Sequence, residues 1–417
     1  MEPNWLIERR KVAAEKFATL ESPAGEELWR RTDLKRIKMD SFEPLAPVTN
    51  GATAGSASAS LPVKLLVSGE ILYGDKISPG QLDKDLENSG VKLLSLAHAA
   101  EEFPDLAQKY LGRGFKNRDE KFITQNEASW QTGVLCYIPK NVSIDLPLLI
   151  TSHFNTPDKS IFPRLLIVLD KGAKATLLHY ASSDFQNASG FLNSVAEIYL
   201  EEDADLTLID LQSHSYQTFE IAQKRVEIGR NAKIKWIMDI QGTRLSKTNI
   251  ETVLVGEGSH AEVMGLVCGN QKQHLELCSL TQHVAPHTTA DILIKGTAND
   301  QAKIIFQGMI RIEKGAQQTE SYMANNNLVL SDKAHADSIP RLEIEADDVK
   351  ASHGATIGQV DAEQMFYLKT RGLDRESAER LLVEGFYEDI FGRIPVESVR
   401  ELMRKNIERK ALRPDIV

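Results

Sequence analysis

The hydrophobic rhythm of the chain changes twice along its 417 residues. Near the start it is helical: Trp5, Val12, Ala13, Phe17 and Leu20 recur at helix spacing among Glu and Lys, and a second helical piece is expected over 22–29. Residues 49–61 are mostly small and polar and bury too little surface to offset their ordering entropy, which predicts a flexible loop. A strand over 63–67 and an amphipathic helix over 96–111 complete a mostly helical N-terminal domain, 1–120.

From 121 to 360 the rhythm is that of strands. Apolar residues alternate or cluster in short runs, as in Leu165-Leu-Ile-Val-Leu169, Ala196-Glu-Ile-Tyr-Leu200, Leu206-Thr-Leu-Ile209, Lys233-Ile-Lys-Trp-Ile237 and Ala302-Lys-Ile-Ile-Phe306. Polar turns recur between them: Asp170-Lys-Gly-Ala173, Glu202-Asp-Ala-Asp205, Gly229-Arg-Asn-Ala232 and Gly256-Glu-Gly-Ser-His-Ala261. A period of roughly 30 residues is that of a solenoid, whose units bury their apolar faces only by stacking on copies of themselves. The expected fold is therefore mainly β, with a parallel β-helix core; a two-sheet sandwich is the alternative.

After Gly358 the helical rhythm returns, over 361–417. Asp361 with Gln364 makes a capping box that Gly372 ends, and Asp374 caps a helix whose apolar face is read as Ala378, Leu381, Leu382, Phe386 and Ile390. Pro395 opens a further helix carrying Val399, Leu402, Met403 and Ile407. These stripes need a partner, which either the body of the protein or another subunit supplies.

Composition narrows the function. A net charge of −10 with scattered Lys and Arg argues against nucleic-acid binding, which needs a concentrated basic surface. No apolar run approaches the roughly 20 residues of a membrane span and the N-terminus does not read as an export signal, so a cytoplasmic location is expected. Cys136, Cys268 and Cys278 sit in apolar stretches and read as buried free thiols.

Most catalytic readings fail on their residues. No Gly-Lys dipeptide occurs, so there is no P-loop, and the glycines of Gly256-Glu-Gly-Ser-His-Ala261 precede a strand, where a dinucleotide fold would have a helix. His274, Cys278, His283 and His287 are metal-ligating types, yet strand alternation splits them into two pairs across a turn, which favours sheet-face and turn roles around Pro286. His353 differs in its context. It ends the β region beside Gly354, and it reads either as a hydrogen-bonded residue closing the last coil or as an iron ligand completed by another chain.

The runs Lys295-Gly-Thr-Ala-Asn-Asp-Gln-Ala302, Phe306-Gln-Gly-Met-Ile310, Asn325-Asn-Asn-Leu-Val-Leu-Ser331, Pro340-Arg-Leu-Glu-Ile344, Ser352-His-Gly-Ala-Thr356 and Phe366-Tyr-Leu-Lys-Thr-Arg-Gly372 resemble the SufB/SufD family of iron–sulfur cluster assembly proteins, the SufD branch most closely. Glu26-Glu-Leu-Trp-Arg-Arg-Thr32 is similar to an early element of that family. The resemblance implies a right-handed parallel β-helix flanked by N- and C-terminal α-helical domains. It implies a non-catalytic scaffold that pairs with SufB through the β-helix, or with a second copy as a resting or storage homodimer. It also implies binding of the ATPase SufC through the helices of 374–390 and 395–407.

By the same resemblance no cofactor is tightly bound to the isolated chain, and iron or an iron–sulfur cluster passes transiently through the complex with His353 as a shared ligand. Ala334 and Gly354 stand where SufB-type chains carry a cysteine and a glutamate, and Ala351 stands where many SufD chains carry a cysteine. A reading from another class is a β-helix enzyme acting on carbohydrate.

Overall fold

A computed structural model describes residues 2–46, 48, 56–58, 61–116, 118–184 and 189–412, the last two by backbone only. Parallel strands fill the middle of the chain and are dealt alternately to two sheets. The first sheet takes Thr132–Ile138, Pro163–Leu169, Gly190–Leu200, Thr218–Ile228, Leu245–Leu254, His274–His283, Lys303–Ile312 and His335–Ile344. The second takes Gly69–Gly74, Leu148–Phe154, Lys174–Ser183, Asp205–Ser213, Lys233–Ile240, His260–Gly269, Thr289–Ala298, Thr319–Val329 and Val349–Gln359. Successive strands of one sheet are one coil apart, as Ile198, Val226, Thr252, Thr281, Ile310 and Leu342 are, each paired with the next. The core is a parallel β-solenoid, and a sandwich is excluded because every one of these coil-to-coil pairings is parallel.

The turns explain the recurring polar motifs. Asn141, Gly172, Asp203, Asn231, Gly258, His287 and Gln318 all take positive φ, and consecutive members are linked by backbone hydrogen bonds such as Gly172 N to Glu202 O and Asn231 N to Glu257 O. A left-handed position favours Gly, Asn and Asp, which hold five of these seven places, with His287 and Gln318 in the other two. At Gly172 the choice is also steric, since a Cβ would lie 2.5 Å from the Asn141 side chain.

Between the sheets runs one apolar lumen, from Ile71 and Val134 through Trp236 and Ile250 to Phe306 and Met323. The outer faces are covered by helices. The helices are α1 (Asn4–Thr19), α2 (Lys84–Asn88), α3 (Leu96–Glu102), α4 (Pro104–Tyr110), α5 (Lys121–Ser129), α6 (Ala362–Thr370), α7 (Arg375–Phe391) and α8 (Glu397–Leu412). Leu6, Leu96, Tyr110 and Trp130 cover Leu166, Val168 and Tyr199 of the first sheet. Beneath α5 the buried Arg164 guanidinium pairs with Glu197 and meets Asn126 at 3.1 Å, so that neither buried charge is left alone.

On the second sheet, Val383, Tyr387, Ile390 and Phe391 of α7 and Val399, Leu402, Met403 and Ile407 of α8 cover Ile209, Leu211, Ile237, Met264 and Leu266. Polar contacts fix the docking: Tyr387 donates to Thr297 at 2.9 Å, and Lys295 donates to Phe386 O at 2.6 Å and to Asp389 at 2.7 Å. The body of the protein, then, is what the C-terminal stripes needed.

Several local expectations change. In the segment 63–67, Val63, Leu65 and Val67 are partly buried against the protein and Leu66 is exposed, but the segment joins no ladder; the strand begins at Gly69. Alternation reports which side is covered and is silent on hydrogen bonding. The helix of 96–111 breaks at Phe103 because Pro104 cannot continue it and opens α4. The piece over 22–29 yields only the 3-10 turn Pro23–Gly25. Of the loop over 49–61, residues 49–55, 59 and 60 lie outside the described residues, while Ala57 and Leu61 are buried and Ser58 N donates to Glu70. The face of α7 is rotated from the expected one: Leu381 is exposed and Val383, Tyr387 and Phe391 are buried, since the Tyr387 hydroxyl finds Thr297 and lets the ring go inside.

Candidate functional site

The two ends of the solenoid are built differently. At the N-terminal end the ladders stop on short antiparallel strands, Lys92–Ser95 on Thr132–Ile138 and Gln81–Leu82 on Gly69–Gly74. At the C-terminal end His335–Ile344 and Val349–Gln359 pair only backwards, with Lys303–Ile312 and Thr319–Val329, and no described strand pairs with their other edges. Such an edge presents a row of unpaired backbone groups, which natural sheets normally cover or pair.

The side chains repeat the message. Along Thr319–Val329 the odd-numbered residues Ser321, Met323 and Asn325 face the lumen and are buried, so Ala351, His353 and Ala355, their partners in register, lie on the lumenal face of the last coil. Leu342 and Ile344 are in register with the fully buried Ile310 and Ile312 but are 37% and 42% exposed, and Ile357 is 50% exposed. The apolar cross-section of the rod is therefore open to whatever meets this end.

His353 sits exposed in that cross-section, in register with Met323. Gly354 faces outward, and a Cβ there would come within 3.3 Å of the Tyr322 hydroxyl. Among the described residues no three His, Cys, Asp or Glu side chains converge to hold a metal ion, and His353 belongs to no such group. Ala334 and Ala351 pack partly buried against the lumen residues nearby.

The other metal-ligating types are kept apart. His274 and Cys278 face outward beneath the N-terminal segment, where Lys247 donates to Glu276 at 2.7 Å, to Leu28 O at 2.6 Å and to the Cys278 sulfur at 3.3 Å, with its ammonium 4.9 Å from the centre of the Trp29 ring. His283 faces the lumen and meets Thr288 at 2.8 Å, while His287 occupies a left-handed turn. All three cysteines are free and buried, and burial pushes the thiols of Cys136 and Cys278 up to about 12.

Polar groups inside the rod went unnoticed in the sequence. The Tyr73 hydroxyl lies 3.2 Å from His179, His179 3.0 Å from Asp210, and Lys224 donates to Asp210 at 2.6 Å. Nearby, Gln212 donates to Glu220 at 2.8 Å and His214 stands 3.7 Å from the same carboxylate. All of these but Asp210 line a cavity of about 30 Å³, room for a water molecule. The available signal was a charged residue at an inward position of an otherwise apolar strand, as Asp210 is beyond Leu206 and Leu208.

These groups make stability depend on pH. Burial pushes the Glu220 carboxyl up, but His214, Lys224 and Gln212 outweigh it and bring it down to about 2. At Glu276 burial is likewise outweighed, by His274, Lys247 and Thr32, again to about 2. Stability from these depressed carboxyls is present above their ordinary 4.5 and is lost as pH falls toward 2. Burial holds His283 down to about 4 from 6.5, so the unfolded chain takes up that proton first and stability declines across the interval. Asp239, pushed up to about 7 by burial, works the other way, its contribution fading as pH rises from 3.8 to 7. His283→Gln removes one term cleanly. Relative to the native chain, urea unfolding should find the variant's stability at pH 5 improved by roughly 2 kcal/mol over its standing at pH 7.5; an equal difference at both pH values would contradict the buried neutral imidazole.

Comparison with known proteins supplies the family. Residues 152–386 match the family model of the SUF system FeS cluster assembly SufBD core domain, and residues 2–150 match that of the SufBD protein N-terminal region. The chain is similar to the iron–sulfur cluster assembly SufBD family protein of Staphylococcus saprophyticus, 26% identical over 341 residues that cover 82% of this chain and 73% of that protein. Those of Staphylococcus aureus and Staphylococcus epidermidis are 27% identical with the same coverage. With its core domain matched over more than half its length and its N-terminal region matched as well, the chain belongs to the SufBD family and has a role in iron–sulfur cluster assembly.

Proposed function

We propose that this chain is the SufD-type member of the family, a non-catalytic scaffold acting in the cytoplasm that joins its open end to a SufB-type subunit and offers His353 as one ligand to iron or a nascent cluster. Iron and cluster are cargo here, handed through the complex. The observation that carries the reading is the open C-terminal coil, where unpaired strand edges, exposed Leu342, Ile344 and Ile357, and an exposed imidazole coincide. A second copy meets the same backbone requirement, which supports a homodimer as the resting form.

The chemistry of the chain supports a scaffold. The ligand types present, one imidazole without a neighbouring thiolate, suit a shared site better than a self-sufficient one. His353→Ala removes a surface group and should leave folding and assembly with a SufB-type partner unchanged by sedimentation, while iron and sulfide in the purified complex fall at least severalfold. Equal iron content in the variant complex removes His353 from the site.

For docking of a SufC-type ATPase we look to what the packed C-terminal helices leave exposed. The apolar stripes of α7 and α8 are occupied by the second sheet. What they leave outward is α6, which buries no residue and exposes Phe366 and Tyr367, at 70% and 55%; Leu381 of α7 is exposed as well. Exposed aromatics of this kind anchor interfaces. The double substitution Phe366→Ser and Tyr367→Ser should weaken capture of the ATPase by at least about tenfold with unchanged thermal stability; full capture would return the docking site to α7 or α8.

A further inference from the structure

One cavity belongs to none of these surfaces. It has a volume of about 360 Å³ and lies on the seam between the last turn of α8 and the strand ends of the solenoid. Arg409 and Lys410 come from α8; Ser213, Ser215, Tyr216 and Asn270 come from the rod. Among the described residues no carboxylate lines it, on a chain whose net charge is −10. A concave surface of cations, hydroxyls and amides selects for an anion.

The individual groups are placed for one. Arg409 is exposed and pairs with no carboxylate among the described residues, which leaves its planar fork of donors available. The Asn270 carbonyl accepts from the Tyr216 hydroxyl, while its amide NH2 meets no protein acceptor among the described residues. Lys410 is buried and donates to Gln241 O, to Gln273 at 2.9 Å and to Cys268 O at 3.4 Å, so it acts on the cavity through its charge. Burial holds that ammonium down to about 8, a cost that an anion beside it offsets.

A second, independent observation comes from His214. It is buried, its Nδ1 has no hydrogen-bond partner, and it lines both this cavity and the smaller one inside the rod. Buried polar atoms of native proteins are nearly always satisfied, so an orphan in a cavity wall marks a place for a ligand or for water held by one. The dipole at the C-terminal end of α8 accounts for the sign of Arg409 and Lys410. It does not account for the lack of carboxylates or for the open donors of Asn270.

We propose that this seam binds a small phosphomonoester, its phosphoryl group on the Arg409 guanidinium and the Asn270 amide and its organic part against Tyr216. A phosphomonoester is close to a dianion at neutral pH, and its tetrahedral oxygens match a guanidinium fork. The cavity volume is at the small end of ligand sites, which admits a compact organic group and excludes a large one. Bridging α8 to the rod, the ligand binds only the docked helix and so stabilises it.

Calorimetric titration of the full chain with inorganic phosphate, glycerophosphate, citrate and chloride at matched ionic strength tests the site. Saturable binding of both phosphates is expected, tighter for glycerophosphate, with a rise in melting temperature. Arg409→Gln should weaken it at least about tenfold, with partial recovery in Arg409→Lys, and neither change disturbs packing because the side chain is exposed. The proposal is overturned by absence of saturable phosphate binding, by undiminished affinity in Arg409→Gln, or by citrate binding more tightly than either phosphate.

Discussion

Each coil of this protein depends on the next one. A parallel strand directs half of its backbone hydrogen bonds backwards and half forwards, and the lumenal side chains of one coil are covered by those of its neighbours, so a solenoid is stable only where something follows. At the N-terminal end that requirement is met inside the chain by the antiparallel strands Lys92–Ser95 and Gln81–Leu82. At the C-terminal end it is not met: the last two strands keep one free edge each, and Leu342, Ile344 and Ile357 keep an apolar face in solvent. The asymmetry between the ends gives the molecule a direction and leaves its final coil open.

The helices follow from the same constraint applied to the outer faces. Both sheets are apolar on two sides, as the clusters around Leu166 and Met264 demonstrate, and both outer faces had to be covered. The N-terminal helices do this for the first sheet and α7 with α8 for the second. Helix α6 buries no residue, and its aromatics Phe366 and Tyr367 are exposed. Attachment to the rod also exposes the Lys410 region to a specific demand. A lysine buried on the seam needs carbonyl acceptors, and the ends of the strands supply them.

Much of this architecture was legible in the residues. The short apolar runs became strands, and the Gly, Asn and Asp turns became left-handed positions, because both signals are local consequences of backbone geometry. The strand that failed, over 63–67, failed because alternation encodes coverage and not pairing. On α7 the stripe was misplaced because a tyrosine with a buried hydroxyl partner is indistinguishable in sequence from one facing water. The exposure of His353 follows from its position in the last coil, and its chemical interest came from its place beside Gly354 together with the resemblance. Of the Tyr73, His179, Asp210 and Lys224 group only the inward charge of Asp210 left a trace in the sequence, and the Lys410 seam left none, since each assembles residues from strands or helices far apart in the chain.

The account turns on the final coil being completed by another subunit, and amide hydrogen exchange over 349–359 reads that directly. In the dilute chain these amides should exchange quickly on the free-edge side, and addition of a SufB-type partner or a rise in protein concentration should slow them by at least about tenfold. Exchange that stays fast after assembly has been verified by sedimentation, or that is already slow in the monomer, would contradict an open coil that a neighbour closes.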